Sequence, residues 1–160
     1  MHLNQSLWQG VYNSFAEAGG DTDAFDSDIL HFHSSLDDVN RDVDIIHIGS
    51  TLQYIEDWKG LLTSLNEKYN PKYFVFSDLL AGDVPTFVSH QIFYDKKIAI
   101  NIYDLKDFKG VINYLSFILI YDSYFQTRIL EQDNLPNSAL PDGYRLKHSR
   151  NMIFKNNEIK

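Results

Sequence analysis

His90 and Gln91 stand side by side in this chain, with Tyr94 just beyond them and Asp78 some way before. An imidazole titrates closer to neutral pH than any other side chain, so His90 suits the removal of a proton from a hydroxyl group. A surface histidine bonded to backbone is its other use. Asp78 suits the same work, or the orienting of a hydroxyl, and suits equally the capping of a turn. Gly49, Ser50 and Thr51 form a second group, a small-residue rim of backbone and hydroxyls. Thr51 reads also as a helix N-cap. Gln53 and Tyr54 follow at once and offer an amide and a ring that can stack, or simply core packing.

Other chemistries find less support. His31, His33 and His47 include an alternating pair, but no third ligand follows at metal-binding spacing, and no metal is expected. Ser34 and Ser35 lack the G-x-S-x-G frame of a serine nucleophile. Asp21, Asp23, Asp26 and Asp28 lack the central glycine and closing glutamate of a calcium loop. There is no cysteine, which rules out disulfides and thiolate metal sites.

The net charge of −8 argues against binding a phosphate backbone. The small basic group Arg145, Lys147, His148 and Arg150 reads as a solvated strand face. The longest apolar run, 115–121, is far short of the roughly 20 residues that span a bilayer. The first residues lack the basic-then-apolar order of a signal peptide, so the cytoplasm is the expected location.

The elements that must position these residues follow from periodicity. A short helix is expected over 11–18 and a short strand over 29–33. The run DVDIIHIG (42–49) is β-branched and mostly apolar, as a strand buried in a parallel sheet requires. Ile55, Trp58, Leu61, Leu62 and Leu65 recur at helical spacing, and Pro71 ends that helix. YFVFS (73–77) predicts a second buried strand, with 78–89 as a loop. Asp104 predicts the cap of a helix whose apolar face is Leu105, Phe108, Val111, Ile112 and Leu115. FILIY (117–121) predicts a third strand, and 144–148 and 152–155 predict a closing antiparallel pair. Alternation of strand and helix makes this an α/β chain, with its chemistry expected beyond the carboxyl ends of the strands.

At those strand ends the sequence resembles a known family. DVDIIHIGSTLQYIEDW is similar to the fourth strand and following turn of class I methyltransferases. KYFVFSDLLAG resembles their fifth strand, and PTFVSHQIFYDKKIAINIYDLKDF with FILIYDSYF resembles the approach to their last antiparallel pair. More narrowly, the opening Trp8, Gly10, Tyr12, Ser14, Phe15, Glu17 and Ala18, with the closing MIFK, resemble a methyltransferase family of bacterial surface-sugar gene clusters.

The resemblance implies an incomplete Rossmann-like methyltransferase sheet, with parallel central strands and an antiparallel C-terminal pair. It implies an N-terminal family segment (1–28) and a methyltransferase-like remainder (29–160). It further implies S-adenosylmethionine as cofactor and a small-molecule acceptor, such as a sugar hydroxyl. The cofactor would be bordered by Gly49, Ser50 and Thr51, the acceptor by Gln53, Tyr54, Gln91 and Tyr94, and the chemistry would fall to His90 and Asp78. The departure is the glycine-rich cofactor loop: no G-x-G is present, and only Gly19 and Gly20 are adjacent. A truncated, non-catalytic binding or assembly module is therefore the competing expectation. The strand DIIHI would then lack a neighbour and leave an apolar edge open to a second copy of the chain.

Overall fold

The computed structural model describes residues 31, 33, 35–93, 95–125, 135, 137 and 139–159. The chain divides into two units, Met1–Asp42 and Val43–Lys160. In the first, Ser35 caps a 3₁₀ turn at Leu36–Asp38, its hydroxyl accepting from the Asp37 N–H at 3.1 Å. His31 and His33 lie in no strand, and their rings stand 6.5 Å apart. The helix expected over 11–18, the segment 1–28 and the rest of the strand expected over 29–33 lie outside the described residues.

The second unit is a mixed α/β domain. Strand β1 (Ile45–Gly49) runs parallel to β2 (Tyr73–Leu79), joined through a 3₁₀ turn at Leu52–Tyr54 and helix α1 (Trp58–Tyr69). β2 is followed by β3 (Ala81–Gly82), β4 (Phe87–Phe93), β5 (Lys96–Asp104), helix α2 (Leu105–Tyr114), β6 (Phe117–Phe125) and β7 (Ser149–Asn156). One sheet has the order β1-β2-β7-β6, with β7 antiparallel to both neighbours. A smaller sheet has the order β3-β5-β4, where β3 is parallel and β4 antiparallel to β5. Parallel and antiparallel strands thus coexist, as the sequence led one to expect.

Local chemistry sets the helix limits. Asp57 accepts the Gly60 N–H at 2.9 Å and starts α1. A Cβ at position 60 would meet the Asp57 carboxylate, so a larger residue there would displace the capping side chain. Asn70, left-handed with φ 43°, ends the helix just before Pro71. Asp104 caps α2 by accepting the Asp107 N–H at 2.7 Å. Both helices bury their apolar faces in one cluster. Trp58 stacks on Phe108, which meets Phe76 edge-on, while Phe74, Phe117, Met152 and Phe154 come from alternate positions of the sheet.

Three expectations are corrected. Residues 78–89 are not a loop. β2 continues through an irregularity between Phe76 and Leu79, β3 follows, and β4 already begins at Phe87. The alternation of Phe87, Ser89 and Gln91 against Val88, His90 and Ile92 is a period-two pattern, masked by two exposed aliphatics, Val88 and Ile92. His90 and Gln91 therefore belong to a strand. Residues 144–148 form no strand either: a 3₁₀ turn spans Asp142–Tyr144, and Arg145 pairs with Asp142 at 2.7 Å. Leu146 is drawn into a second small core with Val84 and Ile102. The closing strand is instead β7, which slots between β2 and β6, so Ser149 and Arg150 lie in it rather than in a turn.

Asp122 on β6 ties the sheet to α2. It accepts from Arg150 at 2.7 Å and from Lys109 at 3.1 Å. Burial pushes its carboxyl upward, but the two cations outweigh that and hold it below the usual carboxylate range. A carboxyl lowered by folding contributes stability above its unfolded pKa of about 4, and that contribution is lost as pH falls through the folded value. Thermal midpoints measured from pH 7 to pH 2 should therefore fall below about pH 4, and Asp122→Asn should flatten that fall.

Candidate functional site

At the carboxyl end of β1 the chain leaves the sheet through two residues in unusual conformations. Ser50 has φ 48° and Asp78, at the corresponding end of β2, has φ 54°. Both are non-glycine residues in the left-handed region, which costs roughly 1–2 kcal/mol each and persists only where surroundings enforce it. The enforcement is visible. The Ser50 N–H donates to the Ser77 carbonyl at 2.9 Å, extending the ladder one step past Gly49. The Ser50 hydroxyl donates to one Asp78 carboxylate oxygen at 2.8 Å, and the Ser149 hydroxyl from β7 donates to the other at 2.5 Å. The Asp78 N–H donates to the Asn151 side chain at 3.2 Å. Three strands are thus tied together through one carboxylate.

The turn after β1 extends this network. Thr51 does not cap the 3₁₀ turn; its hydroxyl donates back to the Gly49 carbonyl at 2.6 Å. Gln53 is buried, and its amide nitrogen donates to the Ser50 carbonyl at 2.9 Å. Asn101 of β5 donates to the carbonyls of Gln53 and Ile55 at 3.2 and 3.0 Å. Tyr103, two residues on, donates its hydroxyl to the Leu52 carbonyl at 2.9 Å. Burial pushes the Tyr103 phenol well above its ordinary pKa, so it remains a donor. The Tyr54 hydroxyl reaches the Gln91 side-chain oxygen at 2.9 Å. Asn101 and Tyr103 were not singled out in the sequence, where 96–104 was not predicted as a strand.

Tyr103→Phe tests this support. The Leu52 carbonyl keeps the Ile55 N–H at 3.1 Å, so the loss is about 1 kcal/mol rather than a fully orphaned group. A fall in thermal midpoint of roughly 2–4 °C is expected.

Gly49, Ser50, Thr51, Gln53 and Asp78 are therefore brought together, and Tyr54 is linked to Gln91. Beside them, His47 shares a hydrogen bond with the Ser77 hydroxyl at 2.8 Å. His90 is exposed and, by strand alternation, lies on the opposite face of β4 from Gln91, paired with Ala99. Tyr94 lies outside the described residues. A shallow depression of about 530 Å³, lined by Asn113, Ser116, Asn157 and Glu158 among others, sits at the opposite end of the sheet, where β6 begins.

No family model and no curated protein matches the chain. Among solved structures it is similar to an S-adenosylmethionine-dependent methyltransferase from Clostridium acetobutylicum ATCC 824. The identity is 13% and the TM-score 0.46, over 96% of this chain and 72% of that one. Among the described residues no helix is long and apolar enough to cross a membrane.

Proposed function

We propose that the chain is a methyltransferase-like domain that holds S-adenosylmethionine, and a small acceptor beside it, at the carboxyl ends of β1 and β2. The observation that carries this reading is the Ser50–Asp78–Ser149 cluster, where two left-handed residues are held in place at the strand ends. Strain kept at the carboxyl ends of strands in an α/β sheet is a mark of a functional site. The sheet is in keeping with it: a C-terminal antiparallel strand, β7, lies beside parallel β1 and β2, as the resemblance implies.

The residues fit a cationic sulfonium ligand, because the network offers carbonyls, hydroxyls and one carboxylate and includes no lysine or arginine. When bound, the cofactor supplies the methyl group. Gly49, Ser50 and Thr51 border it, and Asp78 fixes the rim. Gln53, Tyr54 and Gln91 border the acceptor, a sugar hydroxyl in this reading, and Asp78 rather than His90, which faces away from Gln91 on β4, is the group within reach of the acceptor's proton. Surface-sugar modification in the cytoplasm is the corresponding setting.

The missing G-x-G favours a second reading, a non-catalytic binding or assembly module. Calorimetric titration with S-adenosylhomocysteine separates the two. Saturation at micromolar ligand supports the first; no heat at millimolar ligand leaves the second. Both readings include self-association along β1, which ends the sheet order and leaves Ile45 57% exposed. Light scattering should report more than one chain per particle, and a clean monomer would contradict that.

A further inference from the structure

The turn after β1 contains a polar atom that no group among the described residues satisfies. Gln53 is only 5% exposed, and its Oε1 is buried with no hydrogen-bond partner among the described residues. The amide cannot simply be reversed, because its nitrogen donates to the Ser50 carbonyl at 2.9 Å and a reversal would set two oxygens against each other. A buried acceptor without a donor destabilises the chain that carries it, so its persistence calls for an explanation. Its neighbours narrow the ligand. The Gln53–Ser50–Asp78–Ser149 chain contains one carboxylate and no cation, while Lys109 and Arg150 are engaged with Asp122 and Lys72 with Asp44. Phosphates and carboxylates are disfavoured there; neutral or cationic donors are favoured.

We propose that Gln53 Oε1 accepts a hydrogen bond from an N–H or O–H group of a small neutral or cationic molecule bound at the end of β1. This rests on the reading above that the strand ends hold a small molecule. The donor has two sources, an amino group of the cofactor or a hydroxyl of the acceptor. Because Oε1 is closed to solvent, the donor reaches it as the turn shifts. The exposed Tyr54–Gln91 hydrogen bond, which links this turn to β4, is the contact that opens most readily.

The test compares the full chain with Gln53→Met, which keeps the volume and removes the unpaired oxygen, or with Gln53→Leu if the first does not fold. Thermal midpoints are measured without ligand. Calorimetry then uses S-adenosylhomocysteine alone, and glucose, galactose or mannose in its presence. The expected variant melts close to the natural chain, because loss of the Nε2–Ser50 carbonyl bond offsets removal of the unpaired oxygen, and it binds at least one probe ten-fold or more weakly. Weaker S-adenosylhomocysteine binding assigns the donor to the cofactor; weaker binding of a hexose alone assigns it to the acceptor. Unchanged affinity for every bound probe overturns the Gln53 assignment and leaves the cofactor reading intact. Binding of a hexose but not of S-adenosylhomocysteine removes the cofactor reading, while Gln53 is judged on the hexose. Binding of none overturns both.

Discussion

Phe108→Ala is expected to lower the thermal midpoint by about 10 °C or more, corresponding to a loss of about 3–5 kcal/mol. Phe108 is fully buried and joins most of the layers of the second unit. It stacks on Trp58 of α1 at 5.4 Å, meets Tyr103 of β5 at 5.6 Å, and lies 5.2 and 6.4 Å from Phe76 of β2 and Phe154 of β7. Four aromatic rings cannot all move inward to fill the space left by a fifth, so the cavity persists. The ring also presses Trp58 against Tyr103, which holds the turn carrying Gln53. The substitution should therefore weaken ligand binding as well as stability. Differential scanning calorimetry reads the first effect directly. A drop of only 1–2 °C would mean that the helices do not share one core.

Asp78→Ala is expected to cost about 2–4 kcal/mol, because two serine hydroxyls lose a charged acceptor and alanine must still adopt the left-handed region. A graded series separates these causes. Asp78→Asn tolerates the conformation and keeps one acceptor, so its loss should be smallest, about 1–2 kcal/mol. Asp78→Gly relieves the conformation but keeps no acceptor and should fall between. Thermal midpoints in the order Asp, Asn, Gly, Ala are the expected outcome. Alanine matching the natural chain would show that the carboxylate does not organise the strand ends. If the rim forms the binding site, S-adenosylhomocysteine affinity should fall at least ten-fold in the alanine variant.

Much of this frame is legible in the sequence. The runs IIHIG and YFVFS are apolar enough to fix two strands, although the first, expected to be buried, lies at the sheet edge with no residue fully buried, and Asp104 with its heptad-like apolar face fixes α2. What escaped notice depends on partners distant in sequence. FVSHQIF and KKIAINIYD are strands because they pair with each other, although β4 presents Val88, His90 and Ile92 to solvent and hides the usual alternation of apolar-in and polar-out. Residues 144–148 have strand-like composition but gain more from burying Leu146 against Val84 and Ile102 than from pairing. At the site, Gly49, Ser50, Thr51, Gln53 and Asp78 were identifiable by type and by their place at strand ends. Ser149, Asn101 and Tyr103 were not, since their roles arise only when β7 and β5 reach the turn after β1.

Binding of a small molecule of the S-adenosylmethionine type at the carboxyl ends of β1 and β2, proposed above, is open to direct observation. Chemical-shift mapping on ¹⁵N-labelled chain titrated with S-adenosylhomocysteine tests it most directly. Saturable shifts of the Gly49, Ser50, Thr51, Gln53 and Asp78 amides are expected, with those of Asn113, Ser116 and Asn157 unmoved. Shifts confined to that distant depression, or none at any concentration reached, would contradict it.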